Sequence, residues 1–247
     1  MSATPKDDKT AEARPPSRRR SANRPRGPQL TERDIEIVRW ITRHGVVTVE
    51  LVGRRFFWRP ERRDFGKWAA YRRLRALAAL GLVLKDKPYA QQPEVLRVTR
   101  EGARIADVGI RPAPLVLSEL RHSLAVVALG EFLVSQTKGA DLVTERELRA
   151  ERYRQRRQGA DTSRGRTPDA LLRIPAKQRS AKPVTVAVEL DLTRKDRRAL
   201  ERMIHQYDHE PVDAVWWYVH PARLDRVTEI VRHLQAGDRI QVRPWRG

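Results

Sequence analysis

Cysteine is absent from all 247 residues, which excludes a disulfide framework and any thiolate metal site. No apolar run approaches the roughly 18 residues that a membrane span needs, so no membrane partner is expected. The first residues hold no apolar core of the signal-peptide kind. The most informative shortage is of acids. Asp and Glu number 31 against 51 Lys and Arg, for a formal net charge of +20. A surplus of that size is self-repulsive. Nucleic-acid phosphates relieve it, because each cation placed on the backbone releases condensed counterions. A GC-rich genome explains choosing Arg over Lys, but it does not explain missing acids. Composition therefore points to nucleic acid as the partner class.

What is present divides into blocks. Residues 1–28 carry Pro5, Pro15, Pro16, Pro25, Pro28 and the run Arg18-Arg19-Arg20, with no large apolar residue after Met1. Such a segment cannot offset its ordering entropy by burial, and it reads as a disordered basic arm. It serves either as a solubilising tail or as a weak phosphate contact. The remainder is long enough, at 40% hydrophobic overall, for two modest cores.

Thr31-Glu32-Arg33-Asp34 resembles a helix cap, and Ile35, Val38 and Ile41 follow at helical spacing until His44-Gly45. A short helix with Val49, Leu51 and Val52 comes next, then a loop through Phe57 and Pro60. A third helix is expected from Gly66 to Leu80, and strands over 82–84 and 95–98 with a turn region from Lys85. Another helix over 99–106 closes the block. Three helices and a two-stranded ribbon, over residues 29–109, give the order of a winged helix-turn-helix, a duplex-DNA-binding unit. On the third helix Tyr71, Leu74, Leu77 and Ala78 form the expected inner side. Trp68, Arg72 and Ala76 face outward, Arg73 and Arg75 flank them, and Lys67 sits in the first turn. Trp68 either meets the sugar-phosphate backbone or buries against the 53–60 loop. Lys85 and Lys87 add cations on the ribbon.

Gly109, Pro112 and Pro114 suggest a linker. Residues 115–247 then read as helix, three strands, helix, strand, helix, strand, an α/β arrangement with a mixed central sheet. The first helix is expected to bury Leu120, Leu124, Val127, Leu129 and Phe132, and the first strand to run over 142–148. Trp216-Trp217-Tyr218 reads as sheet core. Asp169 and Glu189 lie on adjacent expected strands, where a hairpin brings both to one sheet end, and Asp191 shares a face with Glu189. Clustered carboxylates in a basic chain suit Mg²⁺. Glu145 and Glu147 are weaker extra ligands. His122 either joins this end or is an ordinary helix residue. His205, Tyr207, Asp208 and His209 read as a surface cluster. From 149 to 166 the residues Arg149, Arg152, Arg154, Arg156, Arg157, Arg164 and Arg166 face only two acids, in a stretch made flexible by Gly159 and Gly165. This stretch is read as a phosphate-holding loop.

The element order with Pro168-Asp169 followed by Glu189-Leu190-Asp191 resembles the PD-(D/E)xK nuclease fold. The whole resembles the replication-relaxation proteins of bacterial plasmids and integrative conjugative elements, over roughly residues 30–235. The carrying segments are Leu30-Thr31-Glu32-Arg33-Asp34, Tyr71-Arg72-Arg73-Leu74, Arg121-His122-Ser123-Leu124, Arg166-Thr167-Pro168-Asp169-Ala170 and Val188-Glu189-Leu190-Asp191-Leu192-Thr193-Arg194-Lys195. The resemblance implies an α+β protein with Asp169 and Glu189 as metal ligands. The position of the nuclease lysine is Asp191 here, a departure that leaves Lys195 as the nearest replacement and implies a degenerate active site.

The function so implied is that of a DNA-binding accessory protein of a mobile element, acting in plasmid replication, DNA relaxation or conjugative transfer. Its partners would be double-stranded DNA and a relaxase or replication initiator, with a homodimer compatible. Its location would be the bacterial cytoplasm. The alternatives are a Mg²⁺-dependent DNA endonuclease or nickase, with Asp169, Glu189, Asp191 and Lys195 as its catalytic set, and a winged-helix transcription regulator.

Overall fold

The computed structural model describes residues 29–161, 166–176 and 182–246. The arm 1–28 and Arg164 lie outside the described residues.

Helix α1 (Glu32–His44) begins at a reciprocal cap. The Thr31 side chain accepts from the Asp34 amide, and the Asp34 carboxylate accepts from the Thr31 amide at 2.6 Å. Its inner face, Ile37, Val38 and Ile41, is fully buried. Strand β1 (Val47–Thr48) leads into α2 (Val49–Phe56), which Thr48 caps. The expected loop after α2 is instead a hairpin of β2 (Trp58–Arg59) and β3 (Asp64–Phe65). Helix α3 (Lys67–Ala79) follows at once. Strands β4 (Val83–Asp86) and β5 (Val95–Val98) pair antiparallel, and β1 adds to the other edge of β5. Helix α4 (Arg100–Ala106) packs back on α1. Leu74 and Leu77 of α3 complete this core with Val52, Leu96 and Val98.

The second half is a mixed sheet between helices. Its elements are α5 (Leu120–Gln136), β6 (Asp141–Thr144), α6 (Glu145–Arg157), β7 (Ala170–Ile174), β8 (Val184–Asp191), α7 (Arg197–Gln206), β9 (Ala214–Val219), α8 (Leu224–His233) and β10 (Ile240–Pro244). The strand order is β10-β9-β8-β7-β6. β6, β7 and β8 run antiparallel, whereas β8, β9 and β10 run parallel. Leu129 and Leu133 of α5 cover one face against Leu172, Val188 and Tyr218. Helices α7 and α8 cover the other, with Leu200, Ile204 and Val227 against Trp217 and Val219. Central β8 is therefore covered on both faces: its sequence alternates Val184, Val186, Val188 and Leu190 with Thr185, Ala187, Glu189 and Asp191, yet Ala187, Glu189 and Asp191 are buried as well. Eight α-helices and this sheet make the described residues a mixed α+β fold.

Three expectations need correction. The strand expected over 142–148 stops at Thr144, because Thr144 and Glu147 form a capping box that starts α6. Glu145 and Glu147 are thus on a helix, and Arg149 to Arg157 are helical rather than a flexible loop. Arg, Glu, Gln and Ala are good helix formers, and that preference prevails here. On α5 the expected core residue Phe132 is 48% exposed, and Leu133 takes the inward position one residue on. The halves joined through 109–117 are also in contact with each other. Trp40 donates its indole N–H to Glu131 at 3.1 Å, and Arg43 donates to Glu147 at 2.8 Å and to the Leu142 carbonyl. The Thr144 hydroxyl donates to the Arg43 carbonyl at 2.9 Å, and Val127 of α5 is buried in the first-half core. Gly45 sits at this junction with φ of 85°, and a Cβ there would lie 3.0 Å from both Ala113 Cβ and Arg146 Cδ.

Candidate functional site

The β7–β8 register sets the acidic site. Ala170 pairs with Val188, so the next rung places Asp169 across from Glu189. Asp169 accepts the Leu190 amide at 2.8 Å with one oxygen, and its other oxygen lies 3.2 Å from His122 Nε2 of α5. Glu189 is 2% exposed. The Arg166 guanidinium donates to both of its oxygens, Nε at 2.8 Å and Nη2 at 3.1 Å. The Tyr207 hydroxyl donates to the same carboxylate from the end of α7. Asp191, also buried, accepts from Lys195 Nζ at 2.7 Å and from the Thr193 amide at 3.1 Å, with Arg223 Nη1 3.5 Å away. Asp169, Glu189, Asp191 and Lys195 are thus gathered at one sheet end.

Each charge there has an identifiable influence. Burial pushes the Glu189 carboxyl up to about 7, and the neighbouring Asp169 adds to the rise, while Arg166 and Tyr207 oppose it. Burial and the Glu189 charge raise the Tyr207 phenol well above its usual range. The hydrogen bond to Asp169 raises the His122 imidazole, and burial works against it. Glu145 is raised chiefly by burial, against the pull of Arg149.

A hard divalent cation needs carboxylate oxygens turned toward it. Glu189 gives both oxygens to the Arg166 fork, Asp191 is held by Lys195 and an amide, and Asp169 is shared between an amide and an imidazole. As arranged, the donor set carries its own counter-cations and does not fit Mg²⁺. The arrangement is a charge-balanced network, with a buried carboxyl that exchanges a proton near neutrality.

Sequence reasoning missed several members of this network. Tyr207, expected in a surface cluster, is 1% exposed and turned to Glu189, while His205 and Asp208 remain outside as an exposed pair at 3.3 Å. Arg166, expected on phosphate, is the partner of Glu189. Arg223 lies far along the chain, and no local pattern marks it. The available signal was the helical period of α7, which puts Leu200, Ile204 and Tyr207 on one buried side.

The expected DNA-contacting cations divide in two. Arg73 is drawn onto buried Asp34 and the Gln29 carbonyl, so it ties α3 to the start of α1. Burial raises the Asp34 carboxyl, but Arg73 and Thr31 together hold it below its usual value. Lys85 pairs with Glu94 at 2.7 Å, Arg152 with Glu210 at 2.5 Å, and Arg154 with Glu151 at 2.8 Å. These three, with Arg73 and Arg166, each have an intramolecular acidic partner. In contrast, Lys67, Arg72, Arg75, Lys87 and Arg157 are exposed and make no ion pair among the described residues. Arg156 is exposed on α6. Trp68 is 84% exposed, not buried against the preceding segment. At about 100° per residue, Trp68, Arg72 and Arg75 form one stripe of α3, opposite the buried stripe of Ala70, Leu74 and Leu77.

A cleft of about 190 Å³ lies between the halves, with Arg43, His44, His122, Glu145, Arg149 and Asp169 in its lining. Burial, with Arg43 and Arg55 nearby, lowers the His44 imidazole to about 3, so it is neutral there. Comparison of the chain with models of protein families, with curated proteins and with solved structures finds no match.

Proposed function

We propose that this protein binds double-stranded DNA as an accessory protein of a mobile element, in plasmid replication, DNA relaxation or conjugative transfer. Residues 29–109 act as a winged helix-turn-helix with α3 as the reading helix. Residues 115–247 act as a PD-(D/E)xK nuclease-like domain whose acidic end is closed by its own cations. A relaxase or replication initiator is the protein partner this reading names. The observation that carries the DNA reading is the outward stripe of α3: Trp68, Arg72 and Arg75, with Lys67 beside it, exposed on a chain of net charge +20. A helix entering the major groove needs such a stripe, rigidly backed and free of internal counter-charges. Fluorescence anisotropy with a labelled mixed-sequence duplex tests it. Tight, salt-sensitive binding that Arg72→Ala with Arg75→Ala weakens supports the reading, and unchanged affinity removes α3 from the interface.

The second reading is a metal-dependent endonuclease or nickase. It draws on the facing of Asp169 and Glu189 across one rung. It requires Arg166 to leave Glu189 first. Incubation with supercoiled plasmid and Mg²⁺ or Mn²⁺ tests it, with Asp169→Ala as the control. Cleavage that the control abolishes favours the nuclease, and intact plasmid favours a binding protein.

A further inference from the structure

The turn between the second and third helices of this chain is replaced by a hairpin, and its chemistry is unlike that of a simple connection. β2 and β3 pair through Trp58 with Phe65 and Arg59 with Asp64. The hairpin is held rigidly. The Phe65 ring fills the space above Gly53 of α2 so closely that a Cβ on Gly53 would lie 2.2 Å from it. The Gly66 amide donates to the Phe57 carbonyl at 2.9 Å, closing the base of the hairpin directly onto the start of α3. Arg59 is consumed internally, donating to both Asp64 oxygens at 2.9 and 2.8 Å. That pair braces the two strands and leaves the tip to Pro60, Glu61, Arg62 and Arg63. Arg62 and Arg63 are exposed; the Arg63 amide donates to the Pro60 carbonyl at 3.2 Å, and no side-chain ion pair or hydrogen bond ties up either guanidinium among the described residues. Arg63 takes the left-handed conformation, φ 49° and ψ 33°, at the reversal of the chain.

The surroundings extend the same surface. Trp58 is 49% exposed at the hairpin base, and Trp68 is 84% exposed in the first turn of α3. From 58 to 75 the chain holds seven Lys and Arg against two acids. Once Arg59 and Arg73 are matched with Asp64 and Asp34, five cations remain against Glu61: Arg62, Arg63, Lys67, Arg72 and Arg75. Large exposed aromatic surface between unpaired cations is costly on a free surface, and a polyanion with apolar sugar edges covers both.

We infer that the β2–β3 hairpin is a second DNA-contacting arm. Arg62 and Arg63 hold backbone phosphates beside the groove that α3 enters, and Trp58 and Trp68 lie against the sugar edges between. This deepens the winged-helix reading and rests on it. The pre-formed hairpin needs no ordering on binding, so its phosphate contacts fix where α3 sits along the duplex.

The test measures duplex affinity against salt for the full chain, for Arg62→Gln with Arg63→Gln, and for Arg72→Ala with Arg75→Ala. Thermal unfolding of each variant is recorded alongside, and a melting temperature equal to that of the parent shows that the exposed substitutions leave the fold intact. The inference predicts that the hairpin variant binds more weakly and that its slope of log K against log salt flattens by about 1.8, at about 0.9 per duplex phosphate contact. If the α3 variant loses affinity while the hairpin variant keeps the parent slope and affinity, the arm is not a DNA contact and the winged-helix reading survives alone. If neither variant differs from the parent, both are overturned.

Discussion

Arg166 lays its guanidinium across both oxygens of Glu189, at 2.8 and 3.1 Å, and thereby puts a side-chain cation on a carboxylate that the sequence offered as a metal ligand. The pair joins the segment before β7 to the centre of the sheet. Glu189 is almost fully buried, while Arg166 reaches it from a partly exposed position.

Removing one partner of such a pair leaves the other charge uncompensated. Arg166→Ala is expected to destabilise the fold by about 3 kcal/mol in mildly alkaline buffer. Adding Glu189→Gln should recover part of that loss, since the stranded charge is then gone. Urea unfolding of both single variants and the double variant gives the coupling. The same Arg166→Ala chain, with Glu189 freed of its guanidinium beside Asp169, should gain a rise in melting temperature with Mg²⁺ that the parent lacks. No metal response in the variant would mean that the carboxylates do not form a cation site even without Arg166.

Stability should fall as pH rises through the site. Glu189 is raised from 4.5 to about 7 in the fold, so the folded state holds its proton more firmly than the unfolded chain does. The resulting stabilisation is full below 4.5 and is lost on the way to about 7. His122 is also raised above 6.5, so its contribution is full below 6.5 and is lost as pH climbs through the higher folded value. Melting temperature against pH should flatten below neutrality in Glu189→Gln and above 6.5 in His122→Gln. Parent-like slopes in both variants would show that neither group titrates as its surroundings dictate.

Duplex binding by α3 should be strongly salt-dependent. Loss of Arg72 and Arg75 should flatten the slope of log K against log salt by about 1.8 if both meet phosphate. If one of them instead reads a base edge, Arg72→Ala or Arg75→Ala should relax discrimination at one position by about 1–3 kcal/mol. Affinity measured across a salt series and across base-substituted duplexes distinguishes the two roles.

The junction between the halves should be sensitive at Gly45. Its φ of 85° and the 3.0 Å approach of Ala113 and Arg146 leave no comfortable place for a side chain. Gly45→Ala should cost about 1–3 kcal/mol. It should also raise protease sensitivity near 109–117, because the substitution presses on the contacts that dock the halves. A variant as stable and as protease-resistant as the parent would show that the junction yields without cost.

Much of the local structure could be read in the chain before any coordinates. The caps at Thr31 and Thr48, the inward period of α1, the inward Leu74 and Leu77 of α3, the ribbon and the strand β8 are short-range features, fixed by dihedral preference and spacing. Tyr71, expected on the inner side of α3, is 39% exposed because the buried stripe runs through Ala70 instead. The capping box at Thr144 was equally local and equally available, yet Leu142 and Val143 before it suggested a longer strand. The facing of Asp169 and Glu189 followed from strand alternation and one hairpin.

What the sequence determined by itself is therefore the polyelectrolyte character of the chain, the kind and order of most elements, and which carboxylates share a sheet end. These depend on composition and on neighbours a few residues apart. Only tertiary structure decided which cations are spent internally. Arg73 meets Asp34, Arg152 meets Glu210 and Arg166 meets Glu189 across distant stretches of chain, while Arg62, Arg63, Arg72 and Arg75 stay outward. A guanidinium has no periodicity that reveals its partner. Its pairing is set by where packed helices and strands happen to bring a carboxylate within reach, and that depends on the whole fold.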